Sequence, residues 1–327
     1  MDERKLIQFG KSAFCMTVPH TWLKKNNLKK GDTLSVQETM RNSLEIMPLS
    51  GNSDGVHELT IDISEKSTDE IIQLLLSTYL NGYTVITLTG PNAGKVAFVR
   101  KHVHEFIAAE VMEVTADKIV IHVFWEVKTL DLQAIIVRIG HITKNLFMET
   151  IAMIDSDSNI RDIQERGLEV QRQVLLARRA IKYALNNSAT AYRFNLSSLE
   201  LLYISYIIYF FGMIGDYVIK VSDILHTAKL NKFKDLLKDQ HAKLELKGLL
   251  TRVADYYMKV FDTYNKHSKL TRFIFSEYAD FEAAIDAFKE KNPQLWAPVL
   301  AEFMKLLIFK IKETEFIMIS MENAPKL

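Results

Sequence analysis

A chain of 327 residues exceeds the usual size of one hydrophobic core, which predicts two or three domains. With 48% hydrophobic and 25% charged residues it has the make-up of a folded globular protein and excludes a largely disordered one. Its 41 Lys and Arg against 40 Asp and Glu leave a net charge of +1, so any surface for a polyanion must be local. The single cysteine, Cys15, excludes an internal disulfide, and the opening MDERKLIQFG has no apolar signal core. The expected location is the cytoplasm.

Residues 1–50 read as short strands broken by turns: KLIQFG, SAFCMTVP, TLSVQE and SLEIMPL, with a short helix from His20 to Asn27 after Pro19. Leu34 and Val36, then Leu44 and Ile46, alternate with period two, and Gly31 supplies the positive φ wanted by the turn in LKKGD. Four short strands cannot bury enough surface to stand alone, so this unit is expected to require a second copy of itself. It also concentrates charge. Eight basic residues (Arg4, Lys5, Lys11, Lys24, Lys25, Lys29, Lys30 and Arg41) face five acidic ones (Asp2, Glu3, Asp32, Glu38 and Glu45), leaving 33 basic and 35 acidic for the rest of the chain. A surplus of three, doubled in a dimer, suits phosphate contact; a merely solvated lysine-rich surface is the alternative.

The Gly-, Ser-, Asn- and Asp-rich LSGNSDG, Leu49 to Gly55, has the composition of a linker. Residues 56–128 then read as an α/β domain: strand HELTIDIS, a helix opened by Ser67 or Thr68, strand YTVITLTG, a helix KVAFVRKHVHEFIAAE, and a hairpin turning at Ala116 and Asp117. Gly90 to Lys95 superficially suggests a nucleotide loop. Its glycine spacing is one residue short, however, and Val96 stands where a hydroxyl would hold magnesium. Strand patterns vanish after Leu130. Helices are predicted at about 130–154, 160–187, 197–228, 231–266, 274–290 and 294–322, capped at Asn195 or Ser197 and at Asn292, and they could form two triplets. The very apolar Leu201 to Ile214 falls short of a bilayer span and reads as a buried helix, with a membrane-surface segment as the dissenting reading. Cys15 reads as a small core residue. The histidines are scattered, and no nucleophile, acid/base pair or cofactor motif is present, so binding is expected rather than catalysis.

Arg4 to Gln8, Gly10-Lys11-Ser12, Thr17-Val18-Pro19, Trp22-Leu23 and Leu28-Lys29-Lys30-Gly31-Asp32 together resemble the SpoVT/AbrB family. That resemblance covers about 50 residues and implies a swapped-hairpin β dimer that binds DNA, with Arg4, Lys5, Lys11, Ser12, Lys24 and Lys25 at the duplex. The region after Leu130 resembles the helical PhoU family at Glu169-Val170-Gln171-Arg172 and Gly212-Met213-Ile214-Gly215-Asp216. The implied architecture is multidomain α+β: an AbrB-like domain at 1–50, an α/β middle domain at 56–128, and an all-α PhoU-like bundle at 130–327. This order resembles archaeal-type phosphate uptake regulators.

The PhoU resemblance implies a divalent metal ion, with Glu169, Asp216 and Asp223 as candidate ligands. The sequence departs from the motif at Gln171 and Gly212, and Phe309 to Glu313 shows no counterpart. Asp162, Glu165 and Glu169 also share one helix face, where they could hold a divalent ion or simply pair at the surface with the intervening Arg161, Arg166 and Arg172, and Asp216 has Lys220 one turn away as a structural ion-pair partner. Two functions follow. One is a homodimeric transcriptional regulator of phosphate homeostasis. The other is a cytoplasmic adaptor for a phosphate transporter or signalling protein, with the β domain serving dimerisation only.

Overall fold

A computed structural model describes residues 3–38, 43–48, 57–91, 94–124, 130–156, 159–230, 239–266, 273–278, 280–293 and 296–324. Arg41 and the predicted linker lie outside them. The chain is mixed α and β, mostly helical, and divides between Val56 and His57 into two compact units.

The amino-terminal unit holds two separate hairpins. Strands β1 (Ile7–Phe9) and β2 (Ala13–Cys15) pair antiparallel with Gln8 opposite Phe14, and β3 (Leu34–Glu38) pairs with β4 (Leu44–Pro48) with Val36 opposite Ile46. Helix α1 (His20–Lys25) lies between them, and Gly31 adopts φ 99° in the turn before β3, as that turn requires. None of the described side chains of this unit is buried. Phe9 is 74% exposed and Phe14 65%, and Leu6, Ile7, Met16, Val36 and Leu44 are exposed with them. Cys15 is exposed too, its thiol 3.5 Å from the Ile7 carbonyl oxygen, which corrects its reading as a core residue. The single chain provides no interior here for it to join.

The larger unit begins with a four-stranded sheet in the order β5-β6-β8-β7. Strands β5 (Glu58–Asp62) and β6 (Val85–Thr89) are parallel and joined by helix α2 (Thr68–Leu80). Ser67 caps α2 reciprocally with Glu70, each accepting the other's backbone N–H. Helix α3 (Val96–Val103) is shorter than predicted, because Ala108 turns the chain at φ 64° and Ala109–Val114 already forms β7. Strand β8 (Lys118–Val123) completes the hairpin and pairs with β6. Ile71, Leu75, Tyr79, Ile86, Val99 and Ile121 lie in the small core beneath the sheet.

The remainder is helical: α4 (Leu132–Ala152), α5 (Ile160–Asn186), the unpredicted one-and-a-half-turn α6 (Ser188–Arg193), α7 (Ser198–Leu230), α8 (Gln240–Asn265), α9 (Phe281–Lys291) and α10 (Trp296–Glu322). Helices α4, α5 and α7 pack together, as do α8, α9 and α10, and the triplets join through α7 against α10 and α4 against α8. Ser197 and Glu200 form the capping box of α7. Asn292, predicted to open the last helix, instead ends α9, donating its side-chain amide to the Phe288 carbonyl. The predicted helix 274–290 is two elements, a 3-10 turn at Ile274–Tyr278 and then α9. The first of them has a distant partner. Glu315, fully buried in α10, accepts the backbone N–H groups of Ile274 and Phe275 and the Tyr256 hydroxyl at 2.7 Å. A carboxylate from another helix thus satisfies donors at the start of that turn.

Among the described residues one helix, α7, is long and apolar enough to cross a membrane, and half of its most apolar window is buried within this bundle. Leu201, Ile204, Ile207, Ile208, Phe211 and Ile214 face the core, whereas Leu202, Tyr206 and Tyr209 lie on the opposite, exposed face.

The α/β and helical parts share a unit but keep separate buried clusters. Arg179 of α5 joins them. It is fully buried, donates to the carbonyl oxygens of Tyr79 and, at 3.0 Å, Tyr83, and lies with its guanidinium carbon 4.8 Å from the centre of the Tyr79 ring. Tyr79 lies in the last turn of α2, whose C-cap is Asn81, with Tyr83 just beyond it, and a cation suits the negative end of a helix. Burial pulls the Arg179 pKa down to about 10, with Tyr79 opposing, so the charge persists at neutral pH.

Candidate nucleic-acid interface

The basic residues of the amino-terminal unit cluster around its first hairpin and helix. Lys5 lies in the extended segment entering β1, and Arg4 beside it. Lys11 and Ser12 occupy the β1–β2 turn, and Lys24 and Lys25 form the last turn of α1. All six residues are exposed. Short, plain turns hold them: Gly10 takes φ 73° at the hairpin tip, and α1 ends with the Asn26 side-chain amide bonded to the Trp22 carbonyl at 2.8 Å. Lys29 and Lys30 precede a turn closed by Asp32, whose carboxylate accepts the Lys29 N–H at 2.6 Å. The same unit therefore displays cations that can neutralise phosphates and large apolar side chains that water solvates poorly.

The candidate metal ligands are not gathered at one point. Glu169 pairs with Arg138 of α4 at 2.5 Å. Asp216 accepts the Gln171 amide at 2.7 Å, and Asp223 accepts the Gln164 amide at 2.9 Å. Asp216 and Asp223 are seven residues apart on α7, about 10 Å along the axis, too far to share one ion. Their partners, Gln171 and Gln164, are also seven apart on the antiparallel α5, so the seam carries two matching amide–carboxylate rungs. Amide N–H groups turned toward the carboxylates present donors where a cation needs lone pairs. The donor set does not fit a divalent ion.

Gly212, where the PhoU resemblance implies a carboxylate, lets α5 approach: a Cβ there would lie 3.2 Å from Val174, and Gln171 also reaches its carbonyl at 3.2 Å. The expected Asp216–Lys220 contact is replaced by the Gln171 bond. The tight seam raises the Asp216 pKa, while Gln171 and the Lys220 charge pull against that rise. On the neighbouring face Arg166 pairs with Glu149 at 3.0 Å, and Asp162 accepts from Asn159. Among the described residues no group of three His, Cys, Asp or Glu is placed to hold a metal.

In the loop after β6, Lys95 donates to the Ile63 carbonyl at 2.6 Å, tying it to the backbone beyond β5. Asn92 and Ala93 lie outside the described residues.

Arg179 and Glu315, the two fully buried charged side chains among the described residues, were not visible as such in the sequence. The usable signal is positional, since each falls on the apolar stripe of its helix: Arg179 beside Leu176 and Ala180, Glu315 beside Ile311 and Met318. No protein-family model, no curated protein and no solved structure matches the chain.

Proposed function

We propose that the chain is a homodimeric DNA-binding transcriptional regulator, acting on phosphate uptake, in which the larger unit senses a signal or partner. One observation carries the dimer: the described part of the amino-terminal unit buries no side chain, yet displays seven large apolar ones beside its cations. Two copies closing those apolar surfaces together gain an interior and double the surplus of positive charge. Phosphate neutralisation by Lys5, Lys11, Lys24 and Lys25 then supplies salt-dependent affinity, and Arg4 is the side chain able to read a guanine edge. The link to phosphate uptake rests on the resemblance of the domain order to that class of regulator. Control follows if a ligand of the larger unit binds one arrangement of the paired β units better than another.

Mobility shifts on genomic DNA fragments at several salt concentrations test this reading. Replacing Arg4 and Lys5 by Ala removes up to four cations per dimer and flattens the salt dependence by roughly two to four units of slope. Unchanged curves reject the DNA reading.

A second reading, an adaptor on a phosphate transporter, is favoured by the exposed Leu202, Tyr206 and Tyr209 of α7 and Phe309 and Phe316 of α10. It predicts capture of the transporter's cytoplasmic loops and indifference to duplex DNA.

A further inference from the structure

At one end of the helical bundle, where α4 begins and the chain turns from α6 into α7, lies an open cleft of about 410 Å³. That volume suits a small molecule. Leu132, Ile136 and Ile204 lie at its wall as buried side chains, and Phe194 and Leu196 add apolar surface. Two opposite charges line the same cleft, Arg193 at the end of α6 and Asp131 at the start of α4. They do not pair with each other. Among the described residues Arg193 makes no hydrogen bond or ion pair, and the Asp131 carboxylate meets no cation within 4.0 Å, accepting only the Ala134 N–H through Oδ1.

The backbone presenting Arg193 is fixed. Asn195 turns the chain at φ 54°, Leu196 N–H bonds back to the Ala191 carbonyl at 3.1 Å, and the Ser197–Glu200 box anchors the start of α7. Gln133 is occupied, accepting the Tyr264 hydroxyl at 3.2 Å.

We propose that this cleft binds a free α-amino acid with a bulky apolar side chain. Its carboxylate meets the planar guanidinium of Arg193, its ammonium meets the Asp131 carboxylate, whose Oδ1 alone is engaged by the Ala134 N–H, and its side chain covers Leu132, Ile136 and Ile204. A simple anion would confront Asp131, and a simple amine would confront Arg193. A zwitterion with an apolar body answers both charges and the wall. The inference is independent of DNA binding, because it concerns the larger unit alone.

Titration calorimetry on the full chain tests it with leucine and phenylalanine, set against N-acetyl-leucine, leucinamide, glycine and inorganic phosphate. Saturable binding of leucine or phenylalanine is expected, with each control weaker by roughly tenfold or more, as loss of one charge-assisted contact or the apolar body dictates. Arg193→Ala abolishes binding and Arg193→Lys restores part of it. Asp131→Asn keeps a residue able to cap α4 but narrows the preference for leucine over N-acetyl-leucine. The idea is overturned if neither amino acid binds, if glycine or phosphate binds as well as leucine, or if Arg193→Ala leaves affinity unchanged; the ligand series on the unaltered chain decides even if a variant misfolds.

Discussion

The two units of this chain use apolar residues in opposite ways. In the larger one, period-3.6 and period-two patterns close on themselves, and the side chains they select reach complete burial, as Ile71, Ile136, Phe211 and Val253 do. In the amino-terminal unit the same kinds of pattern produce hairpins whose Phe9, Phe14, Val36 and Leu44 remain exposed. Periodicity chooses a face. It does not guarantee that one chain holds enough material to cover it, and three- to five-residue strands without a third layer do not.

The largest effect that would break this contrast comes from the smaller unit. Phe9→Ser together with Phe14→Ser removes four aromatic side chains from a dimer, at about 1.5 kcal/mol or more each, roughly 6 kcal/mol in all. Sedimentation should show monomers, while the melting of the larger unit stays put. Arg179→Ala should do the reverse. Leaving the Tyr83 carbonyl without its Arg179 donor, and the Tyr79 carbonyl with its backbone Gly82 N–H, costs about 1–3 kcal/mol, visible as a lower urea midpoint. Glu315→Gln is comparable, about 1–3 kcal/mol, because the amide keeps the shape but sets N–H donors against those of the 274–278 turn. Hydrogen exchange at Ile274 and Phe275 should quicken in that variant alone.

Two carboxylates give the smallest signals, with opposite signs. The Lys247 and Lys243 ammonium groups hold Asp155 at about 2, so its contribution is present above the ordinary aspartate range near 4 and is lost as pH falls toward about 2. Asp155→Asn should shave that acid limb from the stability profile. Asp216 is shifted upward by burial in the seam, so its contribution is full at low pH and fades as pH rises through its raised pKa. In Asp216→Asn, urea midpoints between pH 4 and 7 should lose that decline. A profile unchanged in both variants would show that these pairings carry no linkage.

The spans of the long helices were legible because α4, α5, α7 and α10 each carry apolar residues every three or four positions, with a recognisable cap at Ser197 opening α7. The turn at Gly31 and the hairpin at Ala116 and Asp117 were legible for the same local reason. What escaped depends on partners distant in sequence. The 3-10 turn at Ile274 is anchored by Glu315 from another helix, and the Asp216 bond goes to Gln171, 45 residues away, rather than to the neighbour at i+4. The candidate site divided along the same line. Counting charges located the basic unit, whereas the glutamine rungs that occupy Asp216 and Asp223 could not be read without the α5–α7 register. The cleft beside Arg193 escaped as well, since α6 is too short to leave a periodic trace.

If these hairpins find their interior in a second molecule, as proposed, there is a genetic consequence. On the proposed dimer, assembly would be second order in protein, so occupancy of a target would rise steeply with copy number, and halving the dose would cost more than half the complex. A defective subunit that still closes the shared apolar surface would also poison a sound one. Mixed expression with the Arg4→Ala, Lys5→Ala chain should therefore behave as dominant interference rather than as simple dilution.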